Sequence, residues 1–168
     1  MSLCLHIPAF EELDFRQKLY ADPDTMTYNR GYAPFPGYDP VSGCIDFCPE
    51  RWETWYEKWI GRVPERFYAY LQREDGVFVG DVCYYPTGND GERMIGIVIH
   101  SACRGMGYSG EGLRLLIGEA FSHEEIGALC NEFETTRTAA ICAHRRAGFS
   151  MRYDGETVRP LLKREDVK

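Results

Sequence analysis

The spacing of apolar and polar residues changes several times along the chain, and each change marks an element. Residues 3–7, Leu-Cys-Leu-His-Ile, alternate as a short strand that stops at Pro8. Residues 11–20 read as a helix, with Phe10, Leu13, Gln17 and Tyr20 along one face, and Asp22-Pro23-Asp24 closes it. Residues 29–49 have no clear period and are rich in glycine, proline and aromatic side chains. A loop of that length is often functional. Pro49-Glu50 then opens a second helix with proline early and acid in the first turn. Trp52, Trp55, Tyr56, Trp59 and Ile60 fall at i, i+3, i+4, i+7 and i+8, which makes one apolar stripe.

From residue 66 the period becomes that of strands. Residues 66–72 and 77–85 form an antiparallel pair turning near Asp75-Gly76, and 94–100 is a third strand after a turn over 86–91. A glycine-rich loop leads into a helix over 110–121. A strand at 126–130, a helix at 135–147, a strand from Phe149 and a last strand at 157–163 follow. There is no internal repeat and no low-complexity segment. The order predicts a mixed α/β or α+β sheet with helices on its faces.

The chain has 168 residues, the length of a single domain, and 44% are hydrophobic, which excludes a disordered chain. No run of about 18 apolar residues encodes a membrane span. Residues 1–9 lack the charged leader and apolar core of a secretory signal, so the expected location is cytoplasmic. The net charge of −7 lies wholly in the first 100 residues, which hold 16 acidic and 9 basic side chains against 10 and 10 in the remainder. That surplus serves solubility or draws a cationic substrate to the front half. It argues against nucleic acid, which needs a basic patch. The seven cysteines are odd in number and include no CxxC pair, so neither a zinc site nor a disulfide framework is expected. Free, mostly buried thiols of a reducing compartment are.

The segment IGIVIHSACRGMGYSGEGLRLLIGEAF runs from a strand through a loop into an amphipathic helix. Gly105 and Gly107 permit positive φ and close approach of a ligand. The free N–H groups of the loop and helix start make an anion site, to which Arg104 adds a charge. Gly105-x-Gly107-x-x-Gly110, with Glu132 further on, matches the dinucleotide-binding pattern literally. That pattern should open an extended parallel domain, whereas the strands before it form an antiparallel meander and only 58 residues follow Gly110.

Arg104-Gly105-Met106-Gly107-Tyr108-Ser109 resembles the acetyl-CoA loop of the GNAT superfamily of N-acetyltransferases, with Ser109 or Gly110 as the third small position. A second motif of that family is an Asn, then a small residue, then Tyr on one helix ending in Gly-Phe. It is resembled by RTAAICAHRRAGF: Gly148-Phe149 match, Ala140 is the small residue, His144 takes the tyrosine position and Arg137 the asparagine position. The resemblance covers residues 66–165, and more weakly the segment before them. It implies a GNAT-like, mostly antiparallel twisted sheet with helices on both faces and a splayed strand pair. It also implies acetyl transfer from acetyl-CoA to an amine, with no metal. Residues 1–65 would form the acceptor side and 66–168 the acetyl-CoA-binding core of one domain.

The resemblance places the pantetheine and the oxyanion against the backbone of Ile97, Val98, Ile99 and His100. It places the pyrophosphate in the loop from Arg104 to Gly110, with Arg137 at the remaining contact. Arg145 and Arg146 are candidates for the adenosine phosphate or a solvated helix face. An alkyl amine is protonated at pH 7, so a base is needed, and Glu92 or Asp81 is the candidate. His144 stands where the family tyrosine protonates the thiolate, which an imidazolium can do; His100 is a possible relay. Tyr28, Tyr32, Phe35, Tyr38 and Trp55 are candidates for an amine pocket through cation–π contacts, in a segment (28–72) that holds 12 of the 23 aromatics. The acceptor expected is a small amine; a peptide N-terminus or lysine, or a non-catalytic acyl-CoA-binding module, are the alternatives. An exposed face on the aromatic helix would point to a homodimer.

Overall fold

The computed structural model describes residues 2–33 and 35–167. Eight strands form one sheet: β1 (Leu3–His6), β2 (Phe67–Arg73), β3 (Phe78–Pro86), β4 (Glu92–Ile99), β5 (Ala128–Cys130), β6 (Phe133–Glu134), β7 (Ser150–Asp154) and β8 (Thr157–Lys163). Their order is β1-β2-β3-β4-β5-β8-β6, with β7 on the other edge of β8. Every pairing is antiparallel except β4 with β5. β5 and β6 lie one after the other along the same side of β8 in one continuous register, and the Asn131 N–H between them donates to the Pro160 carbonyl at 3.1 Å.

The helices are α1 (Leu13–Ala21), α2 (Pro23–Met26), α3 (Trp52–Trp59), α4 (Tyr108–Phe121) and α5 (Thr138–Arg146). α4 covers one face of β2–β4. Its Leu113, Leu116 and Ala120 are fully buried against Ala69, Leu71, Val82 and Tyr84. Each such leucine contributes roughly 1.5–3 kcal/mol. α1 and α2 cover the opposite face, where Leu19 and Met26 pack on Val98. Alternation along β4 produces this division: Ile97 and Ile99 face α4, and Val98 between them faces α1.

The strands and long helices fall close to the positions expected from the sequence. The segment Asp22-Pro23-Asp24 does not simply end α1. Asp22 accepts from the N–H groups of Asp24 and Thr25 and so caps α2, with Pro23 in its first turn. The two-residue strand β6 has too few residues to show a period. The stripe on α3 packs on Phe10, Phe47, Tyr68 and Tyr85, and its residues remain half-buried. Of the seven free cysteines only Cys130 is fully buried, while Cys4 and Cys142 are exposed. No helix among the described residues is long and apolar enough to cross a membrane.

Candidate active site

The cleft results from two strands that part. β4 pairs with β5 only from Glu92 to Met94. Beyond that point β4 runs on to Ile99 beside β3, while the chain after β5 stays on β8 through Asn131 to β6 and so diverges from β4. A cavity of about 440 Å³ opens there, bounded by Ile97–Ile99, the loop 103–109 and the start of α5. The His100 N–H donates to the Val79 carbonyl at 2.9 Å, so alternate residues of β4 direct their backbone groups to β3. Val98 is one of them: its carbonyl lies 2.1 Å from where a Cβ on Gly80 would sit. Ile97 and Ile99 therefore turn their N–H and C=O groups into the opening. Of the four residues expected to offer backbone contacts, these two are placed to do so. Val98 contributes its side chain, and His100 is used up by the sheet and by accepting from the Ala102 N–H at Nδ1.

Gly105 and Gly107 have φ of +79° and +84°, and a Cβ at either would meet nothing within 4 Å. Glycine is required here for backbone conformation, not for space. α4 begins at Gly107 without a side-chain cap. Among the described residues, the N–H groups of 105–109 have no hydrogen-bond acceptor. Uncapped amides at a helix N-terminus form an anion site. Arg104 does not point its charge into it: its guanidinium donates to the carbonyls of Asp24, at 3.1 Å, and Thr25, at 2.5 Å, and fastens α2 to the loop. Met106 is exposed, and Tyr108 is buried at the cavity wall. Ser109 and Gly110 lead into an adjoining hollow that also contains Arg114 and Arg146. Arg145 turns away and donates to the Tyr153 hydroxyl at 2.7 Å.

His144 lies in the cleft wall with only 2% of its surface exposed. Nδ1 is 2.8 Å from the Ala140 carbonyl, which fixes the proton on that nitrogen, and Nε2 is 3.3 Å from the Asn131 amide nitrogen. Burial lowers its pKa, and the nearby Arg137 charge adds to that in spite of the Ala140 hydrogen bond. The ring is held neutral, with its acceptor nitrogen toward Asn131. The imidazolium expected from the sequence is disfavoured here.

The two carboxylate candidates separate. Glu92 lies at the paired end of β4, outside the cavity, within 2.9 Å of Arg159 and bonded to Thr87 and Asn89. Burial raises its pKa, but those donors outweigh it and leave it low. Asp81 is the register partner of Val98, a residue of the cavity wall; it does not itself line the cavity and is 1% exposed. It accepts from the Tyr68 hydroxyl at 2.6 Å and the Tyr20 hydroxyl at 3.4 Å, and pairs with Arg16 at 3.3 Å. Burial pushes its pKa up, and the Arg16 charge offsets part of that.

Arg16 was not evident from the sequence. Its guanidinium carbon lies 4.0 Å from the Tyr20 ring centroid, 4.6 Å from Trp55, and 5.0 Å from both Phe47 and Tyr68. The ring of Trp55, expected to meet a substrate cation, meets this one. The signal was an arginine four residues before Tyr20 on a helix face otherwise buried through Leu13 and Leu19. Of the other aromatic candidates, Tyr28 lines the cleft. Tyr32 donates to Glu134 at the surface, and burial followed by that carboxylate pushes its pKa up to about 12. Phe35 and Tyr38 stack at 4.7 Å within the loop, and Tyr38 donates to the Asn29 carbonyl. Arg137 lines the cleft with its guanidinium carbon 4.6 Å from the Tyr28 ring and 5.0 Å from Phe133. The front-half acids do not gather at the opening; Glu12, Asp14, Asp22 and Asp75 are each engaged locally. Among the described residues no group of three or more His, Cys, Asp or Glu could hold a metal.

A sequence model of the acetyltransferase (GNAT) domain matches residues 4–150 and so reaches well into the segment where the motifs were weak. Several solved structures share the fold at low identity. Spermidine N-acetyltransferase from Vibrio cholerae, in complex with CoA and spermine, is 14% identical with a TM-score of 0.77 over 98% of this chain and 97% of that one. A phosphinothricin acetyltransferase from Sinorhizobium meliloti, in complex with AcCoA, is 14% identical with a TM-score of 0.72 over 97% and 89%. An aminoglycoside acetyltransferase in complex with coenzyme A and kanamycin is 13% identical with a TM-score of 0.71 over 98% and 96%. No curated protein sequence matches the chain.

Proposed function

The chain belongs to the GNAT acetyltransferases, and from that premise we propose that it moves the acetyl group of acetyl-CoA to a primary amine of a small molecule. The observation that carries this reading is the continuity of the cleft. The opening between β4 and β5 runs directly into the uncapped N-terminus of α4 and on to Arg114 and Arg146. A long ligand with phosphates near one end and an acyl thioester at the other fits that sequence of environments. The structures of similar fold in complex with CoA or AcCoA agree with it.

Acetyl-CoA supplies an activated acetyl group. The chain's part is to hold, orient and deprotonate. The amides of residues 105–109 receive the diphosphate. Ile97 and Ile99 present backbone groups along the opening, and an N–H there is placed to stabilise negative charge on the thioester oxygen. Of the two carboxylates, Asp81 is our choice of base, because it lies beside Val98 while Glu92 is at the far end of the strand. The Tyr20 hydroxyl, which donates to Asp81, can pass on the amine's proton by giving up its own. A thiol has an ordinary pKa of about 8.5, so its thiolate leaves near neutral pH without the acid that His144 would have supplied. His144 and Asn131 then serve as a fixed wall.

The test is direct. Acetyl-CoA should raise the melting temperature, and a panel of amines should release free CoA thiol in proportion to acetylated product. Binding of acetyl-CoA without thiol release for any amine would leave a binding module instead of an enzyme. Stabilisation by NADH and not by acetyl-CoA would overturn the whole assignment.

A further inference from the structure

We propose that Arg137 binds a carboxylate of the acceptor, so that the substrate is an amine that also bears an acid group, an amino acid or a close relative. The proposal rests on the acetyltransferase reading above and names its substrate class.

The position of Arg137 along the cleft is the first argument. Ala139 and Ala143 of α5 line both the main cavity and the adjoining hollow by the loop glycines, whereas Arg137, Ala140 and His144 line the main cavity alone. Arg137 is thus at the end away from the diphosphate amides. It lies over Tyr28, a residue of the acceptor side, and over Phe133. The second argument is its charge. Arg137 forms no ion pair within 4.0 Å among the described residues. Glu134 accepts from the Tyr32 hydroxyl, to which Arg137 is also hydrogen-bonded. A half-buried guanidinium against two rings, with one hydrogen bond to a hydroxyl, keeps its remaining donors for a planar anion.

The third argument comes from the other side of the opening. An acceptor bound only as a cation would need an unpaired acid or an empty aromatic surround. The aromatic surround is filled by Arg16, and the acid beside it, Asp81, is paired with that same side chain. What remains unneutralised at this end is positive. An amine tethered to a carboxylate satisfies it: the carboxylate meets Arg137, and the amino group reaches toward Ile97 and Ile99.

The experiment compares acceptors that differ only in the acid. The standard L-amino acids, their C-terminal amides and their decarboxylated amines are assayed for CoA release with the wild-type protein, Arg137→Gln and Arg137→Lys. Acetyl-CoA binding is measured by calorimetry on all three. The wild type should prefer at least one free amino acid over its amide and amine by roughly tenfold or more in kcat/KM, the worth of one charge-assisted pair. Arg137→Gln should lose that preference through a raised KM for the amino acid, with the KM for the amide changed far less. Arg137→Lys should recover part of it. A wild-type enzyme that acetylates amides and plain amines as well as the amino acids would overturn the proposal. So would an Arg137→Gln variant whose loss lies in acetyl-CoA affinity. No thiol release from any acceptor, with acetyl-CoA still bound, would sink the enzyme reading and this proposal with it.

Discussion

Two arginines stand among aromatic rings on either side of the opening, and they do opposite things. Arg16 is enclosed by Tyr20, Phe47, Trp55 and Tyr68, with its side chain 13% exposed and Asp81 at 3.3 Å. Arg137 touches two rings, borders the cavity and has no carboxylate within 4.0 Å among the described residues. The rings make the two look alike, but the acid separates them. A cation with rings and a buried carboxylate has its charge compensated within the fold. A cation with rings and an open side has its charge compensated only weakly by a quadrupole, and can still take an anion. The wider contrast follows the same line. The acceptor side built on α1 and α3 is packed with its own side chains, while the loop and the start of α4 leave backbone donors uncommitted among the described residues.

Removing each guanidinium should have the largest effect. Arg16→Met should destabilise the protein by about 3–5 kcal/mol, because Asp81 is left as an unpaired buried charge, whereas Arg137→Gln should cost less than about 1 kcal/mol. Urea unfolding measures both. Adding Asp81→Asn to Arg16→Met should restore much of the loss, since the orphaned charge goes with it. Equal losses at the two sites would mean that Arg137 is as embedded as Arg16.

A smaller effect sharpens the account of the cleft wall. Burial holds the folded pKa of His144 below its unfolded value. The unfolded chain therefore takes up the proton first. The stability due to the neutral ring is complete above the unfolded value, about pH 6.5, and is lost as pH falls through the lowered folded one. The wild type should lose stability below that point more steeply than His144→Gln. The ring's NMR titration should show a midpoint under that of a free histidine; one at or above it would restore the imidazolium. The smallest effect belongs to Glu92. If it only pairs with Arg159, Glu92→Gln should change kcat/KM by less than about twofold and cost on the order of 1 kcal/mol of stability. A large loss of turnover would return the base role to Glu92.

Much of the strand pattern was legible because alternation and turn residues are local properties. β2, β3, β4 and β8 lie within two residues of their expected limits. The loop was legible too, because Gly105 and Gly107 are needed for their own φ angles. α2 was missed because four residues are too few to show a helical period, although its cap, Asp22 with Pro23 and Thr25, is local. The site residues were less legible. Arg104 and Arg137 are both arginines beside a cofactor-like motif, and nothing in their order says that one is tied to the carbonyls of α2 and the other left open. His144 had the right position for an acid, but its protonation depends on burial and on the Ala140 carbonyl.

The sequence alone determined what depends on neighbours along the chain: the periods of strands and helices, the positive-φ loop, and the family that these point to. Three features were decided only by the tertiary structure. One is the parting of β4 from β5, which follows from β4 staying with β3 while β5 and β6 stay with β8. Another is which of β4's amides face the opening, which follows from its register with β3. The last is which charge is matched and which is free, because compensation depends on distance and burial, and chain order encodes neither.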